Sequence, residues 1–114
     1  MDEYSEDEYN ETVEAVKQLC IEYNYPIEES YIEEQPFSTD YTIVLENKME
    51  IILSIYIYGK SCSNDILFDV IDIWDKDGNL IFTHRVHKAD FRKKEIIELL
   101  KCNILLLSGS SDFV

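Results

Sequence analysis

Residues 41–58 of this chain read YTIVLENKMEIILSIYIY, and this stretch decides the fold. β-Branched and aromatic residues dominate positions 41–46 and 50–58, and residues 46–49 (ENKM) form a short break between the two runs. Such runs are typical of strands, so the stretch predicts a β-hairpin. Residues 51–58 are apolar or aromatic on both faces apart from Ser54, which favours a central strand covered on both sides.

A second hairpin follows along the chain, after a polar loop at residues 59–64. Residues 66–74 and 80–87 are again strand-like, and they flank DKDGN at residues 75–79. Gly78 occupies the position where the turn needs a positive φ. The two hairpins together predict a four-stranded antiparallel meander.

Helical periodicity appears only on either side of this region. Ser5 and Glu8 form a capping box, and apolar residues then recur every three or four positions, which predicts a helix over residues 6–23. Its apolar face comprises Tyr9, Val13, Val16, Cys20 and Tyr23. Asp90 is predicted to cap a second helix that ends near Asn103. The apolar content of this second helix is Ile96, Ile97, Leu99 and Leu100. Residues 104–107 either extend it or add a short strand.

We therefore expect one α+β domain over residues 1–114, with an N-terminal helix, a four-stranded antiparallel meander and a C-terminal helix in two layers. Pro26 is predicted to end the first helix, and residues 24–40 are predicted to be an irregular connector or at most a brief edge strand. Residues 1–5 and 108–114 are expected to fray.

Acidic residues are concentrated in the N-terminal half. Residues 1–50 contain 15 acids and two bases, so they carry −13 of the net charge of −14. Half of all the acids lie within the first 34 residues, where Lys17 is the only base. Such a one-sided field destabilises the compact state by self-repulsion, which favours a surface that attracts a basic partner.

Two apparent metal motifs have simpler explanations. Asp75, Asp77 and Gly78 resemble the start of a calcium loop, but the glycine comes too early and Val86 stands where a bidentate Glu is required. His84 and His87 are three residues apart, so on a strand they point to opposite faces and cannot share a metal ion. We expect a hairpin turn at the first motif and no metal at either.

No nucleophile context and no glycine-rich phosphate cradle occurs in the sequence, so we expect a protein that is not an enzyme and has no cofactor. Three widely spaced cysteines are read as free thiols. The basic residues Arg85, Lys88, Arg92, Lys93 and Lys94 are read as a solvated helix start or an internal partner of the acidic half, because the overall field repels nucleic acid. No apolar run is long enough to span a membrane and the first residues are acidic, so we expect a cytoplasmic protein.

The acidic N-terminal region is the candidate binding site. Carboxylates about one turn apart on the first helix, together with two later Glu doublets, can present a phosphate-like field to a basic groove. Two interleaved tyrosines add flat faces for Arg contact or base-like stacking. The predicted partner-binding residues are Asp7, Glu11, Glu14, Glu22, Tyr25, Glu28, Glu29, Tyr31, Glu33 and Glu34. A solvated face kept for solubility is the alternative interpretation.

In size, in its acidic residues 2–34 and in its Tyr-rich helix-plus-meander pattern, the chain resembles phage-encoded inhibitors of bacterial nucleic-acid defence, the anti-CRISPR and anti-restriction proteins. This resemblance of composition implies an inhibitor that acts in the bacterial host cell. It would occupy the basic nucleic-acid channel of an effector nuclease as a mimic, as a monomer or weak dimer. Two alternatives remain open. An immunity protein against a nuclease toxin would use the same electrostatics, whereas an acidic secretion chaperone would be a dimer with apolar grooves.

Overall fold

The computed structural model describes residues 6–36, 38–56, 70–85 and 92–109, with the backbone alone for residues 6–9, 56 and 92. Its helices are α1 (Glu6–Glu22), α2 (Arg92–Cys102) and a closing 3₁₀ helix (Ile104–Ser108). Its strands are β1 (Ile27–Glu34), β2 (Ser38–Leu45), β3 (Glu50–Tyr56), β4 (Val70–Trp74) and β5 (Leu80–Arg85). The strands pair antiparallel in the order β1-β2-β3-β4-β5, so this part of the chain is an α+β fold with a five-stranded meander.

The prediction of four strands is wrong, because residues 24–40 contain β1. This strand pairs with β2 from Ile27 opposite Leu45 to Glu34 opposite Thr39, with one bulge near its start. Its residues are mostly exposed on both sides, so it lacks the apolar alternation that marks a buried strand. Pro26 and Pro36 lie just outside it, where they bound an edge strand without removing a ladder hydrogen bond.

One face of the sheet carries the core. Ile51, Leu53 and Ile55 alternate along β3, and the register places Ile43 and Ile73 on either side of Ile51. These residues share one buried cluster with residues of both helices and the 3₁₀ helix, namely Val13, Val16, Leu19, Cys20, Ile96, Leu100 and Leu107. The expectation that β3 is central is therefore confirmed. Ser54 of β3 and Thr42 of β2 are buried on the opposite face, so β3 is shielded from solvent on both sides, as expected.

Helix α1 ends in a Schellman motif. Asn24 has a φ of 65°, and the amides of Tyr25 and Asn24 donate to the carbonyls of Cys20 and Ile21 at 2.8 and 3.0 Å. Val13, Val16 and Cys20 are buried as the periodicity predicts. Tyr23 lies beyond the last helical residue and is exposed, so it does not belong to the apolar face.

A hydrogen bond from the β2–β3 turn holds the C-terminal segment. Asn47 Nδ2 donates to the Leu107 carbonyl at 2.8 Å, and Asn47 Oδ1 accepts from the Met49 amide at 3.0 Å. Residues 104–108 form a 3₁₀ helix instead of the predicted helix extension or strand. Its buried Leu107 fixes this segment in the core.

The β4–β5 turn is organised by Asp75. Its Oδ1 accepts from the amides of Asp77 and Asn79 at 2.9 and 2.8 Å, and Gly78 has a φ of 85° as the turn pattern predicts. The backbone hydrogen bond from Asn79, followed by its side-chain amide, lowers the pKa of Asp75. The carboxylate is thus committed to the turn.

Several predicted features lie outside the described residues. They are Ser5 of the capping box, the strand ends at residues 57–58, 66–69 and 86–87, the loop at 59–64, Cys62, His87, the Asp90 cap and the tail at 110–114. No helix in the described part of the chain has the length and apolar character needed to cross a membrane.

Candidate functional site

The face of the sheet opposite the core is rich in carboxylates. Because side chains alternate along a strand, the register places on this face Glu29 and Glu33 of β1, Asp40 of β2, Glu50 of β3 and Asp72 of β4. We call these five residues the acidic sheet face. With strands roughly 4.8 Å apart, they extend over about 14 Å from β1 to β4.

Aromatic and small polar side chains lie among these carboxylates. Tyr31 is 40% exposed and stands between Glu29 and Glu33 on β1, directly opposite the buried Thr42. Trp74 is half-buried and opposite Glu50. On β5, Arg85 is the one base that the register adds to this face among the described strands.

Two carboxylates of the acidic sheet face are direct neighbours. Glu33 on β1 lies opposite Asp40 on β2, and like charges directly opposite in an antiparallel pair are destabilising. Asp40 accepts a hydrogen bond from Ser38 Oγ at 3.4 Å, but no described base forms an ion pair with either carboxylate. Among the described residues, therefore, no base offsets this like-charge pair.

The two bases of the N-terminal half are engaged elsewhere. Lys17 Nζ lies 3.3 Å from Glu14 and 5.5 Å from the centre of the Tyr41 ring. Burial lowers the pKa of Lys17, but interactions with Tyr41 and Glu14 outweigh that effect and the net shift is upward. Lys48 pairs with Glu28, whose hydrogen bond and charge raise the pKa of the lysine, and Glu29 adds to that effect. Neither lysine is thus left to neutralise Glu33 and Asp40.

The helix carboxylates form a separate and partly neutralised set. Glu11, Glu14 and Glu22 are exposed on α1, as predicted. Glu14 pairs with Lys17, and Glu11 lies 3.8 Å from Lys93 of α2. Lys93 is therefore an internal partner of the acidic half, which is one of the two roles predicted for the basic residues.

The ten predicted site residues thus divide among several places. Glu29, Tyr31 and Glu33 share the acidic sheet face, whereas Glu34 lies on the other side of β1 and Glu28 lies at the bulge. Tyr25 is half-buried and packs against the core, so it offers less of its ring than expected. The side chain of Asp7 lies outside the described part.

Sequence reasoning missed Asp40, Glu50 and Asp72. They are separated along the chain by ten residues or more, and only the strand register brings them to one face. Asp40 and Thr42 alternate with core residues along β2, and this pattern indicates that both face away from the core. Which residues of β1 lie beside them could be inferred only once β1 was placed next to β2.

One further titratable pair lies on the core side. His84 of β5 and Glu95 of α2 approach to 3.3 Å between Nε2 and Oε2. In the described ranges, no three His, Cys, Asp or Glu side chains come together as a possible metal site.

Comparison with protein-family models, with curated proteins and with solved structures found no match for this chain.

Glu33→Lys is expected to stabilise the fold, because it turns the Glu33–Asp40 repulsion into an opposite-charge pair worth roughly 0.2–1 kcal/mol. Urea denaturation at low ionic strength measures the change, and added salt should reduce it. Glu34→Lys is the matched control, since it makes the same charge change at an exposed position of β1 opposite the uncharged Thr39. An equal gain in both variants would show that net charge, and not this pair, is responsible.

Proposed function

We propose that this protein is a non-enzymatic acidic inhibitor that binds the basic nucleic-acid-binding groove of another protein and acts there as a nucleic-acid mimic. The proposed target is an effector nuclease of bacterial defence, such as a CRISPR nuclease, as the compositional resemblance implies. In this proposal the domain has two layers, with the helices behind the sheet and the acidic sheet face in front. The contact surface is the acidic sheet face at its β1 side, where Glu29 and Glu33 are exposed, while Asp40, Glu50 and Asp72 are half-buried behind them.

The observation that carries this proposal is the position of Glu33 directly opposite Asp40 on the neighbouring strand, where like charges repel. A surface kept only for solubility does not need two carboxylates directly opposite each other. Carboxylates placed further apart, or paired with lysines as Glu14 and Glu28 are, would keep the protein equally soluble. Binding sites often lower the stability of a fold locally, because function can require an arrangement that is not the most stable one. A basic groove would relieve the repulsion on binding.

The chemistry of such contact is electrostatic. A groove that binds nucleic acid presents Lys and Arg to phosphates, and the acidic sheet face offers carboxylates spaced over about 14 Å across the strands. Complementary fields of this kind raise the association rate and set the orientation of the partners. Tyr31, in the middle of β1, adds a ring that an Arg side chain can cover.

The test uses the tagged full chain to capture proteins from a bacterial lysate at about 0.1 M and 1 M salt. We expect a basic nucleic-acid-binding protein that is retained at low salt only, is released by added duplex or single-stranded nucleic acid, and loses its nuclease activity in stoichiometric complex. The protein alone should bind no nucleic acid. Retention at high salt without competition by nucleic acid would contradict the proposal. A dimer on a sizing column that holds an apolar peptide would favour the chaperone alternative.

A further inference from the structure

The outer edge of β1 is open in the part of the chain that the structure describes. β1 is the first strand in the sheet order and pairs with β2 alone. It spans eight residues, one more than β3 and three more than β4. A strand at the edge of a sheet presents unpaired amides and carbonyls, which form a template for another strand.

Hydrogen bonding at the ends of β1 shows which backbone groups face outward. The Gln35 amide donates to the Ser38 carbonyl at 2.8 Å, so this pair lies at a hydrogen-bonded position of the ladder. In an antiparallel pair such positions alternate, and Glu33, Tyr31 and Glu29 therefore bond toward β2. The amides and carbonyls at positions 30, 32 and 34 point away from the sheet.

Side chains around this edge define what can bind to it. Glu29 and Glu33 are exposed on one side of β1, and Glu34 and the 50% exposed Ile32 lie on the other. Two β1 edges from separate copies would place these glutamates against each other, which disfavours self-association. A strand with positive side chains meets no such repulsion.

We propose that β1 binds an extended basic segment of a partner protein as a sixth strand of the sheet. The inference rests on the proposed function, because it takes the partner to be basic. Main-chain hydrogen bonds to positions 30, 32 and 34 supply a part of the affinity that does not depend on charge. Basic residues at alternate positions of the added strand lie beside Glu29 and Glu33, and the intervening apolar residues lie beside Ile32.

Two synthetic peptides of equal charge test this mode of binding. The first, acetyl-KVKVKVK-amide, can form a strand with alternating basic and apolar faces. In the second, acetyl-KPKPKPK-amide, proline removes every second amide, at the positions that would pair with residues 30, 32 and 34, and so prevents strand pairing. At about 0.15 M salt we expect the first peptide to bind the full-length protein at least about 10-fold more tightly than the second. Amide hydrogen exchange should slow at residues 30, 32 and 34 when the first peptide is bound.

Ile32→Pro removes one outward amide and leaves the ladder to β2 intact, which an edge strand tolerates. We expect this variant to lose the preference for the first peptide, and Ser30→Pro serves the same purpose should Ile32→Pro fail to fold. Equal affinity for both peptides, or a preference that survives both substitutions, would overturn strand addition. Equal affinity together with a captured partner that nucleic acid displaces would leave the proposed function in place. A preference for the first peptide without such a captured partner would support strand addition and contradict the proposed function.

Discussion

Reversing two charges on β1, Glu29→Lys with Glu33→Lys, is expected to weaken binding of the basic partner by about 100-fold or more, because like charges brought together at an interface cost several kcal/mol. Both side chains are exposed, and Glu33→Lys faces Asp40 favourably, so the fold should remain intact. Most of the loss should appear in the association rate and should shrink as salt is added. Stopped-flow or surface-based kinetics with the captured partner measure it.

The matched control is Glu11→Lys with Glu14→Lys, which changes the net charge by the same amount on α1. The sequence alone predicts a severe loss for this pair too, as it does for Glu28→Lys with Glu29→Lys. From the structure we expect a smaller loss of affinity for the α1 pair, below about 10-fold, because Lys93 and Lys17 already lie beside these carboxylates. Equal losses from the two double variants would mean that overall charge carries the binding. A larger loss of affinity from the α1 variant would show that the partner binds to the helix.

Strong hydrophobic periodicity made most of the fold predictable. The α1 boundaries and the end of α2 follow from caps and from apolar residues at helical spacing, and β2 and β3 follow from β-branched runs. β1, expected at most as a brief edge strand within residues 24–40, was underestimated for a physical reason. An edge strand with both faces largely solvated needs no apolar alternation, so its sequence resembles a polar connector.

The candidate site depends on that strand. Once β1 pairs with β2, Glu33 meets Asp40, and the meander adds Glu50 and Asp72 to the same face. Composition revealed that the N-terminal half is acidic, but it could not distinguish carboxylates that lie beside a lysine from those that do not. That distinction depends on contacts between residues far apart in sequence, such as Glu28 with Lys48 and Glu11 with Lys93.

Ile51→Ala is expected to lower the free energy of unfolding by about 2–5 kcal/mol, which is the usual cost of truncating a buried Ile. Ile51 is fully buried at the centre of the core, between Ile43 and Ile73. Single domains have only about 5–15 kcal/mol of stability, so this variant should melt at a much lower temperature and part of it should be unfolded. Urea denaturation followed by circular dichroism gives the change.

Ile52→Ala provides the sharpest comparison, because it makes the same change one residue along β3, on the acidic sheet face. Ile52 is only half-buried there, between Thr42 and Asp72, and it is not part of the core cluster. A half-buried Ile buries less apolar surface than Ile51 does, so its truncation loses less and we expect a cost of about 1 kcal/mol. An equal cost for the two substitutions would show that both faces of β3 are tightly packed. The β3 part of the acidic sheet face would then be closed to a partner, and the proposed contact with a basic groove would have to lie on the β1 edge or on α1.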